Sequence, residues 1–479
     1  MGTASFQFLG FAAVVVAVFN INRSVVWRQG ILLLASLVFL AFFSLNPVSY
    51  VPLAAFLAFG FVSVRLMQGG YGRSAFLPLL IAGIVGFIWL KKYSFIPGPL
   101  LLRFPYVTLG LSYIFFRVLH LIIDAKDGTI PGKISLVSYL NYTLNFTTLI
   151  SGPIQRYQDF ASMQLAQKPL PLDIFIVGQS IERIIVGFFK VNVLSLILSM
   201  AQNQALTNLN VDSSFGDRVF YGIVIAASYP FYLYCNFSGY IDMVIGIARL
   251  LRLELPENFN RPFSSDNFLN FWSRWHITLS EWLKTYVYNP LLITLMRRYP
   301  EPSVSPFLGV IAFFVTFFLV GVWHGQTSVF LFFGVLQGLG VSVTKLYQVL
   351  MAKWIGKKRY KALSNNAFYN VFARGLTFTW FAFTLLWFWS NWVQLGSVAH
   401  RLGFPAMLAA WACVFMGASL LLAGWEAVRN WLLSLEWQRE PLLLSRYART
   451  VWGTALVVIA TATVMLVNAP APEIVYKAF

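Results

Sequence analysis

Long apolar stretches alternate with short polar or basic interruptions along most of this chain. A helix that crosses a bilayer needs about 20 mostly apolar residues. That criterion predicts spans near 4–20, 31–45, 50–66, 75–91, 108–124, 134–150, 174–200, 219–250, 307–323, 327–345, 371–393, 404–424 and 449–468. The stretches 174–200 and 219–250 are long and carry polar residues, which predicts helices that are tilted, broken or lodged inside a bundle. The pattern as a whole predicts an all-α polytopic membrane protein of about 11–13 transmembrane helices, forming a single domain over 1–479. Four stretches do not read as simple spans: 151–173, 251–304, 351–370 and 425–448. In the second, Ser264, Ser265 and Asp266 are candidate N-caps. Phe268, Trp272, Trp275, Leu279, Trp282, Leu283 and Tyr286 then recur at helical spacing, with Asn270, Arg274, Glu281 and Lys284 on the other side. This predicts one amphipathic helix over 264–288, too charged to face lipid along its length, that lies in the interface or lines a cavity.

Composition supports this reading. Hydrophobic residues make up 58% of the 479 and charged residues 11%, against about 25% charged in soluble domains. The net charge of +18 does not indicate nucleic acid, because the basic residues sit in short groups between apolar spans, as the positive-inside tendency expects. Arg23 and Arg28 mark the first loop and Arg65 and Arg73 the third, whereas the second, around Asn46–Tyr50, has no basic residue. This predicts an external N-terminus, with Lys91, Lys92 and Arg103 in the fourth loop dissenting. The strongest basic group, Lys353, Lys357, Lys358, Arg359 and Lys361, is expected in the cytoplasm, where it can attract anionic lipid or an acidic partner. Cys235 and Cys413 have neither metal-ligand spacing nor a disulfide framework. Arg23 follows the first apolar run, the wrong order for a cleavable signal peptide. Phe6 stands where a myristoylation motif beginning Met1-Gly2 needs Ser or Thr.

The candidate chemistry starts from one histidine. No Asp, Glu, Lys or Arg occurs from Phe307 to Thr344, and Val322-Trp323-His324-Gly325-Gln326 stands near the middle. An ionisable group at membrane depth is costly and is a functional candidate by default. The run divides on either side of His324-Gly325-Gln326-Thr327-Ser328, so the break is either a surface turn with a structural histidine or a deeper break lining a water-filled cavity. Gly334, Gly338 and Gly340 on the following helix suit close helix packing better than phosphate binding. His276 flanks the aromatic stripe of the amphipathic segment. Ser151-Gly152-Pro153-Ile154-Gln155-Arg156-Tyr157 reads as a helix break. Asp242, inside an apolar stretch, must be solvated or paired, with Arg249 and Arg252 nearby in sequence. His120 and His400 read as structural or exposed.

The segments LGLSYIFFRVLHLIIDAKDG, LISGPIQRYQDF, FSGYIDMVIGIARLLRLELPENFNRPF, FWSRWHITLSEWLKTYVYNPL and GVWHG together resemble the membrane-bound O-acyltransferase family. The similarity is to its bacterial branch, which serves alginate O-acetylation and teichoic-acid D-alanylation. It covers 109–325 within a motif-bearing core of about 109–345; the first hundred residues and those after about 350 match only in hydropathy. The resemblance implies tilted helices around a thin centre where a cytoplasmic and an external funnel meet, with His324 at the meeting point. It identifies His324 and His276 as the catalytic pair and implies that Trp323, Trp272, Trp275, Arg274, Asn260, Arg156 and Asp242 line the funnel.

The chemistry implied is acyl transfer from a thioester to a hydroxyl. Neutral His324 suits a general base, a role contributing about 10²–10⁴-fold. Oxyanion donors would be backbone N–H groups or side chains such as His276 or Trp323. No Ser-His-Asp arrangement is evident, which favours direct attack over an acyl-enzyme. The expected protein is a multi-pass enzyme of the bacterial plasma (inner) membrane that binds no metal or resident cofactor. It would move an acyl group, foremost acetyl, from a cytoplasmic donor (acetyl-CoA or an acyl-carrier protein) toward an exported polysaccharide, or to a periplasmic or extracellular transferase or esterase-like partner. The aromatic segment at 266–288 would form the mouth where the donor docks. The close alternative is D-alanyl transfer to teichoic acid, to which SYIFFRVLHLIID and SGPIQRY are somewhat more similar. A non-enzymatic lipid or glycan transporter suits the composition equally, but no related halves are visible.

Overall fold

The computed structural model describes residues 4–70, 72–437, 440–441, 445–467 and 473; Met1-Gly2 lies outside them. The chain divides into two compact units, residues 1–192 with 236–256 and 469–479, and residues 193–235 with 257–468.

The first unit contains α1 (Phe6–Phe19), α2 (Val25–Ala41), α3 (Val51–Gln68), α4 (Gly72–Leu90), α5 (Leu111–Lys126), α6 (Leu136–Thr143), α7 (Tyr157–Gln164) and α8 (Ile174–Phe189). Ser5, Ser24, Ser135 and Asp173 start α1, α2, α6 and α8 by accepting a first-turn amide on the side chain. Helix α5 is the core of this unit: all but two of its sixteen residues are buried, Arg117, His120 and Asp124 among them. At Gly60 of α3 a Cβ would come 2.8 Å from Val118 of α5, so that crossing needs glycine. The predicted span 134–150 is not a continuous helix. Helix α6 ends at Thr143, and Asn145 Oδ1 accepts from Thr147 N at 3.2 Å and Thr147 Oγ1 at 2.9 Å, local bonds that compete with helix continuation. The carbonyls released there are taken by buried Arg117, which donates to Thr143 O at 2.8 Å and Thr148 O at 2.7 Å.

A π-helical stretch, Lys190–Ser195, leads into α9 (Leu196–Asn208), and the 36-residue α10 (Phe215–Leu250) follows. The second unit continues with α11 (Phe268–Trp272), α12 (Ile277–Leu283), α13 (Asn289–Arg298), α14 (Ser305–His324), α15 (Ser328–Trp354), α16 (Lys357–Ser364), α17 (Ala367–Trp389), α18 (Trp392–Leu402), α19 (Phe404–Ser434) and α20 (Arg446–Val467). A two-strand antiparallel pair, Glu436–Trp437 with Glu440–Pro441, precedes α20. Helices α14 and α15 form a tight hairpin. A Cβ on Gly321 would overlap the Gly334 backbone, and one on Gly338 would come 2.9 Å from Phe314 O; the glycines serve packing, as their spacing predicts.

Seven helical segments of the described residues are long and apolar enough to cross a membrane: Pro47–Gln68, Ile174–Asn208, Ser305–His324, Ser328–Trp354, Ala367–Trp389, Phe404–Ser434 and Arg446–Val467. Shorter apolar helices cover Phe6–Phe19, Val25–Ala41 and Ser74–Leu90. The all-α polytopic architecture is as expected.

The amphipathic segment differs from expectation. It is a chain of short pieces: a 3-10 turn at Pro262–Ser264, α11 with N-cap Asn267 rather than Ser264, Ser265 or Asp266, a bend, α12, and a π-helical turn at Lys284–Tyr288. The bend has a structural cause. Residues 258–260 run antiparallel to 274–277, with Asn260 N donating to Arg274 O at 2.9 Å and Ile277 N to Asn258 O at 3.0 Å around the Phe259–Trp275 bridge. His276 takes a left-handed conformation, φ 46°, which a helix interior does not admit. Periodicity registers the aromatic face but not this exchange of helical bonds for strand-like ones.

Candidate active site

His324 is the last residue of α14, held by Gly325 in extended conformation, φ −165°. A Cβ on Gly325 would overlap the Phe330 ring, so the chain can turn there only without a side chain. The imidazole is 2% exposed, although Gln326–Ser328 just beyond it are exposed. Aromatic rings surround it: Trp323 at 4.5 Å between centroids, Phe388 of α17 at 5.0 Å and Phe333 of α15 at 5.8 Å, the last two edge-on. The break between the two apolar runs is therefore a hairpin tip whose polar residues Gln326–Ser328 are exposed while its histidine is folded under other helices.

The His276 ring also lies beside Trp323, centroids 6.4 Å apart with the planes inclined at 66°. It is fully buried, more deeply than a position flanking an apolar stripe suggests. Its Nδ1 lies 3.2 Å from Asn258 Oδ1, which also accepts from Thr278 N at 3.1 Å and Thr278 Oγ1 at 2.9 Å. The Thr278 backbone N–H can only donate, so this atom of Asn258 is the acceptor oxygen and His276 Nδ1 carries the proton. Nε2 then carries the lone pair. His276 lies outside the seven candidate spans, and burial pushes its pKa down to about 3. A neutral imidazole with its N–H engaged is no oxyanion donor. The other side chain considered for that role, the Trp323 indole, is a donor by its chemistry.

The tryptophans of the broken segment build the wall behind this group. Trp272 Nε1 donates to Gln337 Oε1 at 3.2 Å, and Gln337 Nε2 donates to Thr384 Oγ1 at 2.9 Å. This buried chain ties α11 to α15 and α17. Trp275 packs on Phe381 at 5.0 Å and Phe259 at 5.1 Å. Arg274 and Asn260 are not part of the buried group. Arg274 donates to Asn270 Oδ1 at 3.1 Å and Ser264 Oγ at 2.8 Å, and Asn260 is exposed; both brace the outer side of the bend.

Arg156 and Asp242 belong to the first unit. Arg156 is exposed and precedes α7. Asp242 pairs with neither Arg249 nor Arg252. It accepts from Arg183 Nε at 3.0 Å and Lys190 Nζ at 2.7 Å of α8 and the π-helical stretch. Gly187 and Gly239 let the two helices come close enough for this; a carboxylate within an apolar stretch needs such partners, and sequence proximity does not choose them. His120 is buried with its Nε2 2.9 Å from Tyr142 Oη, and His400 is exposed.

Sequence reasoning missed Asn258, Gln337, Thr384 and Phe388. Gln337 left a signal, as the one amide side chain in the apolar run 328–344; such a group needs an internal partner. Phe388 left none, being one of 46 phenylalanines.

The profile of the membrane-bound O-acyltransferase family matches residues 126–388, more than half of the chain. It extends past the limit near 350 expected from motif likeness and takes in Phe381, Thr384 and Phe388, which pack on the histidine region. The chain is 28% identical over 332 residues to the teichoic acid D-alanyltransferase of Bacillus subtilis (strain 168), covering 68% of this chain and 79% of that protein. It is 30% identical over 322 residues to the probable alginate O-acetylase AlgI of Pseudomonas fluorescens, covering 67% of this chain and 61% of that one. A third relative, the probable alginate O-acetylase AlgI of Pseudomonas aeruginosa, is 28% identical over 353 residues, 69% and 64% of the two chains. With two buried histidines facing one tryptophan inside the matched region, this chain belongs to the membrane-bound O-acyltransferase family and is a multi-pass membrane acyltransferase.

Proposed function

We propose that the protein moves an acyl group, foremost acetyl, from a cytoplasmic thioester donor to a hydroxyl of an exported cell-surface polysaccharide or of a partner protein that completes the transfer. The observation that carries this reading is His324 buried against Trp323 at the α14–α15 tip. In the reaction, the acceptor oxygen attacks the thioester carbonyl carbon while its proton passes to neutral His324. The tetrahedral intermediate collapses, the C–S bond breaks, and the thiol leaves with that proton. Backbone N–H groups or the Trp323 indole would stabilise the oxyanion. His276 acts as a positioning residue, its ring fixing the Trp323 face while Asn258 fixes the ring. The donor is acetyl-CoA or an acyl-carrier protein, with Arg274 and Asn260 of the second unit on the path of the substrates. The proposed setting is a bacterial inner membrane, N-terminus external and Lys353–Lys361 cytoplasmic.

D-alanyl transfer toward teichoic acid is the second reading, favoured by the larger share, 79%, of the D-alanyltransferase relative that aligns. His324→Ala and mass analysis of surface-polymer esters test both. Loss of ester at normal protein level is expected. Unchanged ester content overturns the assignment of His324, and the mass of the missing group, acetyl or alanyl, decides between the readings.

A further inference from the structure

An apolar crevice of about 180 Å³ lies within the second unit between α10, α17, α18 and α19, lined by Gly222, Ile225, Trp387, Trp389, Met407 and Trp411 among others. At Gly222 the crevice narrows to a close helix contact: a Cβ there would come within 2.9 Å of Ala410 and 3.2 Å of Leu402. One end carries charge. Arg218 stands one turn before Gly222 on the same face of α10, since residues four apart share a face, and its η-nitrogen donates to Leu402 O at only 3.5 Å. Its Nε is buried without a hydrogen-bond partner. Arg401, exposed near the end of α18, donates to Leu209 O at 3.1 Å. Among the described residues neither arginine forms an ion pair; the adjacent carboxylate, Asp217, accepts from Ser214 Oγ at 2.7 Å. In the wall itself, the Trp387 indole N–H is also buried without a partner, although a buried Trp N–H usually finds one.

An apolar slot, a buried N–H without a partner on one of its lining tryptophans, and two arginines without ion pairs next to the lining residue Leu402 (Arg218 bonded to its carbonyl, Arg401 preceding it in the chain) match the three parts of one class of molecule. We propose that this crevice binds an anionic phospholipid, with a tail segment between α10, α17 and α19, an ester carbonyl on Trp387 Nε1, and the phosphate between Arg218 and Arg401. Guanidinium is the side chain best suited to phosphate oxygens. The site is distinct from the histidine group and does not depend on the acyl-transfer reading, although Trp389 in its wall follows Phe388, which touches His324.

The test uses the full-length protein in detergent with short-chain phosphatidylglycerol, phosphatidylcholine of the same chains, and inorganic phosphate. Phosphatidylglycerol is expected to raise the unfolding temperature well above either control, and Arg218→Gln with Arg401→Gln to remove at least half of that rise. An equal rise with phosphatidylcholine overturns the headgroup assignment, and an equal rise with inorganic phosphate leaves a free-anion site instead of a lipid site. Because the double variant can also lose its fold, wild-type protein is photolabelled with phosphatidylglycerol carrying a diazirine in the tail. Labelled peptides containing Ile225, Trp389 or Met407 support the proposal; labelling confined to other helices overturns it.

Discussion

At the residue scale, three polar atoms converge on Asn258 Oδ1, and the orientation of His276 depends on them. Asn258→Ala removes this shared acceptor from the Thr278 amide, the Thr278 hydroxyl and the His276 N–H, at a cost of about 1–3 kcal/mol for lost buried hydrogen bonds. Thermal unfolding in detergent should show that loss, with turnover falling as Trp323 loses its fixed neighbour. His276 also sets a pH dependence. Its folded pKa, about 3, lies below the ordinary 6.5, so the unfolded chain binds a proton that the folded chain refuses. This contribution to stability is intact above 6.5 and declines as pH falls toward 3. Replacing His276 with Gln should flatten the unfolding temperature against pH across that window; an unchanged slope would show that other groups cause it. Gly325→Ala drives a methyl into the Phe330 ring. Overpacking of this kind costs about 1–3 kcal/mol, and it displaces His324, so activity should fall further than stability.

At the scale of elements, what joins the broken segment 262–298 to the apolar helices is a buried polar chain as well as ring packing. Trp272, Gln337 and Thr384 sit on three different helices and satisfy one another. Gln337→Leu should destabilise the protein by about 1–3 kcal/mol, because it strands the Trp272 N–H. A double-mutant cycle with Thr384→Val should give a coupling energy of about 1 kcal/mol, since the two side chains share one hydrogen bond. Zero coupling would mean that the bond does not persist in the membrane protein. The α14–α15 hairpin depends on backbone contact instead. Its glycines remove side chains where the two helices touch, and close approach of this kind is how helices associate where lipid offers no hydrophobic driving force.

At the scale of the whole molecule, the expected topology is open to direct measurement. Cys235 is buried and Cys413 half-buried, so background thiol labelling should be low. Lys357→Cys should react with an impermeant maleimide in inside-out vesicles and not in intact cells. The reverse pattern would invert the orientation and put the basic α16 outside. In the proposed orientation the basic group Lys353–Lys361 would face the negative inner leaflet, which attracts such clusters.

Sequence alone determined the all-α membrane architecture, because a lipid environment permits few ways to satisfy a backbone and apolar length reports them directly. It also singled out His324 and the role of Gly334, since a lone ionisable group in an uncharged run and small residues at helical spacing are local signals. Only the tertiary structure decided the rest. Strand-like pairing of 258–260 with 274–277 broke the predicted amphipathic helix, Arg117 took carbonyls 26 and 31 residues away, and Asp242 found its partners on α8 and the stretch after it rather than in its own helix. Each outcome turns on a hydrogen bond or ion pair between residues distant in sequence. Which distant group satisfies a buried polar atom is fixed by where packing brings it, and helical periodicity carries no record of that.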